Sequence, residues 1–141
     1  MRVAGLAAIC AGCAGNALAD SAALDALNAF RTDNGRSTLQ YSVMLEQAAR
    51  AHAQDMAEEN FFSHTGSDGS AVADRVARAG YGWCVVAENI AKGQENLTEV
   101  MAAWAGSEGH RRNMLSREVA DFALVQDEGN IWVMVLASSG C

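Results

Sequence analysis

The sequence predicts one α+β domain with its helices first and its strands last. The chain has 141 residues, half of them apolar, which is the size and composition of a single domain with its own core. Apolar residues recur at helical spacing over roughly the first two thirds of the chain. Two apolar, partly β-branched runs follow at residues 122–125 and 131–136, separated by a turn signal at residues 127–130. Helices that cover such a sheet form an α+β sandwich.

The first predicted helix begins at residue 21, has apolar residues at every third position from Leu24 to Phe30, and ends near the turn signal Asn34-Gly35. Ser42 is placed to cap a second helix. Its apolar stripe consists of Leu45, Ala48, Ala49, His52, Ala53 and Met56. On this spacing His52 is predicted to be a packed core histidine that belongs to no site.

A third helix is predicted over residues 70–79, so that His64 falls in the polar, glycine-rich loop before it. The apolar segment 84–91 follows, with Glu88 in its middle. An acid in such a segment must be paired or hydrogen-bonded if it is buried. Glu88 is therefore either a structural residue, bonded to backbone amides or a histidine, or part of a site.

The last predicted helices lie on either side of Gly106. Asn96 or Thr98 caps a helix that reaches Trp104, and Ser107 is positioned to cap a short turn of helix that holds His110. The three tryptophans, Trp83, Trp104 and Trp132, would with Tyr81 suit a glycan or lipid platform, but core packing is the usual role of aromatics in a small domain.

Residues 1–19 have the three-part layout of a secretory signal peptide, with Arg2, an apolar run and a small-residue ending. Cleavage there leaves residues 20–141 as one exported domain, in the periplasm or the extracellular medium. The apolar run is shorter than the roughly 18 to 20 residues that span a bilayer, so no transmembrane segment is expected. The alternative is a lipoprotein anchored at Cys13, because two small residues precede this cysteine as they do at bacterial lipoprotein cleavage sites.

Cys84 and Cys141 are the only cysteines left after removal of residues 1–19. An even count in an oxidising compartment predicts a disulfide between them, and two separate thiols are the alternative. The bridge would close a loop of about sixty residues and stabilise the fold by roughly 2 to 4 kcal/mol through the unfolded chain.

The charge balance is acidic, with 17 acidic against 10 basic residues and a formal net charge of −7. Loss of Arg2 with the signal peptide makes it more negative. A phosphate backbone requires basic surface, so nucleic acid is excluded as an expected partner. The sequence does not indicate an oligomeric state.

Three short patterns occur in order, and they carry a resemblance: Phe61-Phe62-Ser63-His64, then Glu88-Asn89-Ile90-Ala91, then Trp104 followed six residues later by His110. Together they resemble the short bacterial branch of the CAP superfamily, also called the SCP domain, which includes cysteine-rich secretory proteins, insect venom antigen 5 and plant pathogenesis-related proteins. The resemblance runs from about residue 27 to residue 137. It implies an α-β-α sandwich with a central, mainly antiparallel sheet and an open cleft.

Two histidines and two glutamates line the cleft in that family, and three of these positions match His64, Glu88 and His110. The second family glutamate lies three residues after the tryptophan, which is Ser107 here, and Glu108 comes one residue later. Glu108 is therefore either the fourth acid of the cleft or a helix-opening residue near the positive end of a short helix.

These residue types are compatible with metal binding and with acid–base chemistry. Two neutral imidazoles and a carboxylate are sufficient ligands for zinc or another divalent metal with an open position, where the ion activates a bound water. Without metal, the same groups can act as general acid and base. The zinc-protease signature His-Glu-x-x-His and the Gly-x-Ser-x-Gly elbow are both missing from the sequence.

The expected function is binding rather than catalysis. The first hypothesis is an exported CAP-domain module that binds a metal ion, a small apolar, lipid-like ligand or a cell-envelope component, since such binding recurs in the family. The second is a metal-assisted, peptidase-like hydrolase that uses an activated water with His64, Glu88 and His110. A third is a stable scaffold in which this cluster is a structural relic.

Overall fold

The structure, a computed structural model, describes residues 13–141, with side chains described from Asp20 onward. Residues 1–12 of the predicted signal peptide lie outside that description, and of its residues 13–19, which include the predicted lipid anchor Cys13, only the backbone is described. In chain order the elements are α1 (Cys13–Asp33), β1 (Gln40–Tyr41), α2 (Val43–Glu58), α3 (Val72–Arg78), β2 (Trp83–Lys92), α4 (Leu97–Ala105), α5 (Glu108–Met114), β3 (Asp121–Asp127) and β4 (Ile131–Ser139). Within the described residues, none of the helices has the length and apolar content needed to cross a membrane.

The four strands form one mainly antiparallel sheet in the order β1-β3-β4-β2. Strand β4 pairs antiparallel with β3 and β2, whereas the two-residue β1 runs parallel to β3. The turn between β3 and β4 places Gly129 and Asn130 at positive φ, which these two residue types tolerate. The two predicted C-terminal strands are confirmed.

Helices cover both faces of the sheet, so the predicted α-β-α sandwich is also confirmed. Successive side chains of a strand point to opposite faces. One set packs under α2 and α3, and includes Ala123, Val125, Val133 and Val135. The other packs under α1, α4 and α5, and includes Phe122, Leu124, Trp132, Met134 and Leu136. Because β3 and β4 are buried on both faces, their sequences are continuous apolar runs.

Helix α1 ends at Asp33, next to the predicted turn at Asn34-Gly35, and begins at Cys13, before the predicted start at residue 21. Its last turn carries Arg31, which is only 1% exposed. The Arg31 Nη1 donates to the carbonyls of Met114 at 2.7 Å and Ser116 at 3.0 Å. This side chain fixes the end of α5 against α1.

Two of the predicted N-caps are hydrogen-bonded. The Ser42 Oγ accepts from the Leu45 amide at 3.3 Å, and the Asn96 side chain, not Thr98, accepts from the Glu99 amide at 3.0 Å. Ser107 occupies the N-cap position of α5 without a side-chain bond.

The predicted disulfide is present. It joins Cys84, near the start of β2, to Cys141, with their Cα atoms 5.9 Å apart. Of the aromatic residues, Tyr81, Trp104 and Trp132 lie in the core as expected. Trp83 differs, because it lies at the start of an edge strand and is 42% exposed.

Candidate functional site

Glu88 lies at the centre of the candidate site. Strand β2 directs its side chain toward α2 and α3, where only 2% of that side chain is exposed. The Oε1 lies 2.8 Å from His64 Nδ1, and the Oε2 accepts from Arg75 Nη2 at 2.9 Å. Both oxygens of this buried carboxylate are therefore paired, as burial of a charge requires.

His64 presents its ring to solvent while Glu88 holds it in place. The His64 side chain is 60% exposed. Because a carboxylate oxygen can only accept a hydrogen bond, the His64 Nδ1 is the donor. In the neutral ring, Nε2 then carries the free lone pair. The carboxylate thus sets the tautomer and the direction in which Nε2 is offered.

The loop that carries His64 is held by bonds to its own main chain. The Arg75 Nη2 donates to the His64 carbonyl at 3.0 Å, and the His52 Nε2 donates to the Ser63 carbonyl at 2.8 Å. Farther along, the Ser67 amide donates to Asp55 Oδ2 at 2.8 Å. The loop comes so close to itself that a Cβ on Gly66 would lie 2.7 Å from the Ser70 Oγ.

His52 is a core histidine, as its spacing on α2 predicts, but it also lies beneath the site. Its Nε2 is 3.9 Å from Glu88 Oε1, and its side chain is fully buried. Burial lowers the pKa of His52 more than the nearby Glu88 raises it, so the ring is neutral near pH 7. The proton of this neutral ring is on Nε2, which donates it in the hydrogen bond to the Ser63 carbonyl. The unprotonated Nδ1 has no hydrogen-bond partner in the described part of the chain.

Arg75 is a site residue that the sequence reasoning missed. It is 7% exposed and joins three segments, because its Nη1 donates to the Ser70 carbonyl while Nη2 reaches Glu88 and the His64 carbonyl. A signal was present in the sequence. Arg75 lies between Val72 and Val76 on the apolar stripe of α3, where a buried cation needs a carboxylate partner.

His110 approaches the same region from the opposite helical layer. Its carbonyl accepts from Asn89 Nδ2 at 3.1 Å, and Asn113 Nδ2 donates to Asn89 Oδ1 at 2.9 Å, so α5 is bonded to β2. Burial, and then the positive charge of His64, lower the pKa of His110. His110 lines the same cleft as Phe62, which lies two residues before His64 in the chain.

An open cleft of about 530 Å³ lies beside His110. Its wall is largely apolar and includes Phe62, Ile90, Ala103 and Trp104, with Lys92 and Gln94 at its edge. Phe62 is 48% exposed although it is a large apolar side chain. The exposed ring belongs to a surface that an apolar group could cover.

Ser107, the position that matches the fourth family acid, lines this cleft, whereas Glu108 does not. The Glu108 side chain is 94% exposed, and its nearest charged partner is Arg112, four residues later on α5, at 3.4 Å. A one-residue shift on a helix turns a side chain by roughly 100 degrees, which accounts for this difference.

The donor set suits a metal only in part. No group of three or more His, Cys, Asp or Glu side chains in the described part of the chain is placed to hold an ion. Both carboxylate oxygens of Glu88 accept hydrogen bonds, one from His64 and one from Arg75. His64 Nε2 and the neutral ring of His110 remain as donors, and a zinc ion would need further ligands from water or a bound molecule.

Comparison of the sequence with known proteins identifies the family of the chain. Residues 24–132 match the model of the CAP family, described as the cysteine-rich secretory protein family. The protein YkwD of Bacillus subtilis is 37% identical over 106 residues, which are 74% of this chain and 41% of that relative. The chain thus spans less than half of the length of this relative.

Two solved structures share the fold. An extracellular protein containing an SCP domain from Bacillus anthracis superposes with a TM-score of 0.81 at 23% identity, covering 85% of this chain and 40% of that one. An outer surface protein of Borrelia burgdorferi gives a TM-score of 0.77 at 18% identity, covering 85% and 92%. The family match spans most of the chain and the fold is the same, so this chain belongs to the CAP family of cysteine-rich secretory proteins.

Proposed function

We propose that this CAP-domain protein is an exported binding module whose cleft holds a divalent metal ion, such as zinc, together with a small apolar or cell-envelope ligand. The observation that carries the proposal is the bond between the exposed ring of His64 and the buried carboxylate of Glu88. Because this ring is oriented before any ligand arrives, less conformational freedom is lost on binding.

His64 and His110 are the proposed metal ligands. Both rings offer a nitrogen when neutral, and the lowered pKa of His110 favours the neutral form. Glu88 acts behind His64 as the carboxylate that fixes its tautomer, an arrangement common around histidine ligands. A bound divalent ion would supply a polarised, activated water.

The apolar wall around Phe62 and Trp104 supports a ligand with an apolar part. Export is supported by two structural neighbours, which are an extracellular protein and an outer surface protein by their descriptions. The disulfide between Cys84 and Cys141 also fits an oxidising compartment.

Isothermal zinc titration of the oxidised protein from residue 20 onward tests the metal ligands. We expect one site in the parent and its loss in the His64→Ala, His110→Ala double variant. Glu108→Gln is the matched control, because it removes an exposed acid of α5 that lies outside the cleft. Absence of zinc binding in the parent, or equal loss in the control, would contradict the proposal.

A metal-assisted hydrolase is a second candidate, favoured by the same bond. An imidazole oriented by a carboxylate is the arrangement of a general base, which could take a proton from a water at Nε2. This candidate requires peptide turnover that stops on chelation and in His64→Ala. Peptide turnover that survives chelation or the His64→Ala substitution would exclude the hydrolase. Zinc binding without turnover would support the binding module instead.

A further inference from the structure

A second groove, of about 700 Å³, lies on the other side of α5 from the cleft. One wall is the middle of edge strand β2, residues 85–87. The opposite wall is formed by the end of α5 and the segment 115–119 that follows it. None of the residues that line the groove was assigned to the metal or the apolar ligand above.

Arginines dominate this groove, although the protein is acidic. Four of the ten basic residues of the chain line it, with only two acids: they are Arg36, Arg111, Arg112 and Arg117, with Glu108 and Glu118. Within the described residues Arg117 has no ion pair, and Arg112 has only its exposed contact with Glu108. A groove lined mainly by one sign of charge attracts the opposite sign over several ångströms.

The same groove runs along an unfinished strand edge. Trp104 Nε1 donates to the Ile90 carbonyl at 3.2 Å, and Asn113 Nδ2 donates to the Glu88 carbonyl at 3.4 Å. These side chains lie on the side of β2 away from β4, so the even-numbered residues direct their main-chain groups outward. Val86 is also even-numbered, so its N–H and C=O point outward like those of Glu88 and Ile90. No described residue forms a hydrogen bond with either group.

We infer that this groove binds an extended acidic peptide segment of a protein partner, which adds to β2 at Val86 and places its carboxylates against the arginines. An added strand would form a pair of main-chain hydrogen bonds with Val86, the mode by which exposed sheet edges capture peptides. Val85 and Ala87 direct their side chains toward the α5 layer and supply apolar contact beside it. The edge is short, so the charge contacts carry much of the affinity, which therefore falls as salt rises.

The test is a fluorescence polarisation titration of the oxidised protein with a labelled, capped peptide of alternating glutamate and valine. We expect saturable binding that weakens with salt, and an amide resonance of Val86 that shifts on binding in a ¹⁵N-labelled sample. Arg117→Glu should weaken binding about tenfold or more. Arg50→Glu, which changes the net charge equally on α2, should leave the affinity unchanged.

Two probes distinguish a peptide site from a general anion site. The same peptide with alternate main-chain amides methylated keeps its charge and loses its strand-pairing donors, so it should bind much more weakly. Dextran sulfate carries charge without a peptide backbone. Equal affinity for the methylated peptide, binding of dextran sulfate alone, or equal weakening by Arg50→Glu and Arg117→Glu would overturn the inference.

Discussion

Glu88 determines the geometry of the candidate site, because it is the acceptor for two neighbours at once. Burial of the Arg75–Glu88 ion pair costs desolvation free energy, which the attraction between the two charges only offsets. The main effect of the pair is therefore to orient the Glu88 carboxylate. The carboxylate cannot rotate without breaking the bond to Arg75. The direction of the His64 ring is thereby fixed from beneath.

Protonation of His52 should destabilise the fold. Burial lowers the pKa of His52, and also that of His110, below the ordinary value of 6.5, so below that pH the unfolded chain binds more protons than the folded chain. The free energy of unfolding should therefore decrease from about pH 7.5 to about pH 5. Urea unfolding with chelator present measures this slope.

His52→Gln tests the origin of that slope. The Gln amide can still donate to the Ser63 carbonyl, but it does not titrate. We expect a shallower pH dependence in this variant than in the parent. An unchanged slope would show that folding does not change the pKa of His52.

At the same scale, the sequence predicts the chemical groups of the site better than their contacts. His64, Glu88 and His110 follow from the family pattern, and the structure brings the first two within hydrogen-bond distance. Arg75 was missed because the third helix was interpreted only through its apolar residues. Arg75 and Glu88 are both charged residues in apolar patterns, and such residues need each other when they are buried.

The N-caps of the helices should differ in their contribution to stability. Ser42→Ala and Asn96→Ala each remove a side-chain acceptor from an amide of the first turn, so each should cost about 1 kcal/mol of unfolding free energy. Ser107→Ala is the matched comparison, because Ser107 makes no such bond. Equal losses in all three variants would contradict the hydrogen-bond origin, and chemical denaturation measures them.

Among the elements, the segments with an apolar period or a clear cap were predicted, and the two-residue strand β1 was not. Strand β1 has two residues, too few to show a period, and exists because it pairs with β3. The burial of Arg31 in the last turn of α1 was not predicted either. Arg31 breaks the apolar spacing there, and its burial depends on the carbonyls of Met114 and Ser116 far along the chain.

For the whole molecule, the disulfide should be a main source of stability. It links residues 57 apart, and a loop of that length restricts the unfolded chain by roughly 2 to 4 kcal/mol. Urea unfolding of the Cys84→Ser, Cys141→Ser double variant should show that loss. The parent treated with reductant should match the variant, whereas a reduced parent as stable as the oxidised one would contradict the expectation.

Glu88 and Asn89 are joined by one peptide bond, yet their side chains leave β2 on opposite faces of the sheet. Glu88 bonds His64 in the layer of α2 and α3, while Asn89 bonds the main chain of His110 in the layer of α5. The distance between the His64 and His110 rings therefore depends on how the helical layers on the two faces of the sheet pack against β2. A slip of β2 by one residue would exchange acid and amide between the layers and disconnect both histidines together.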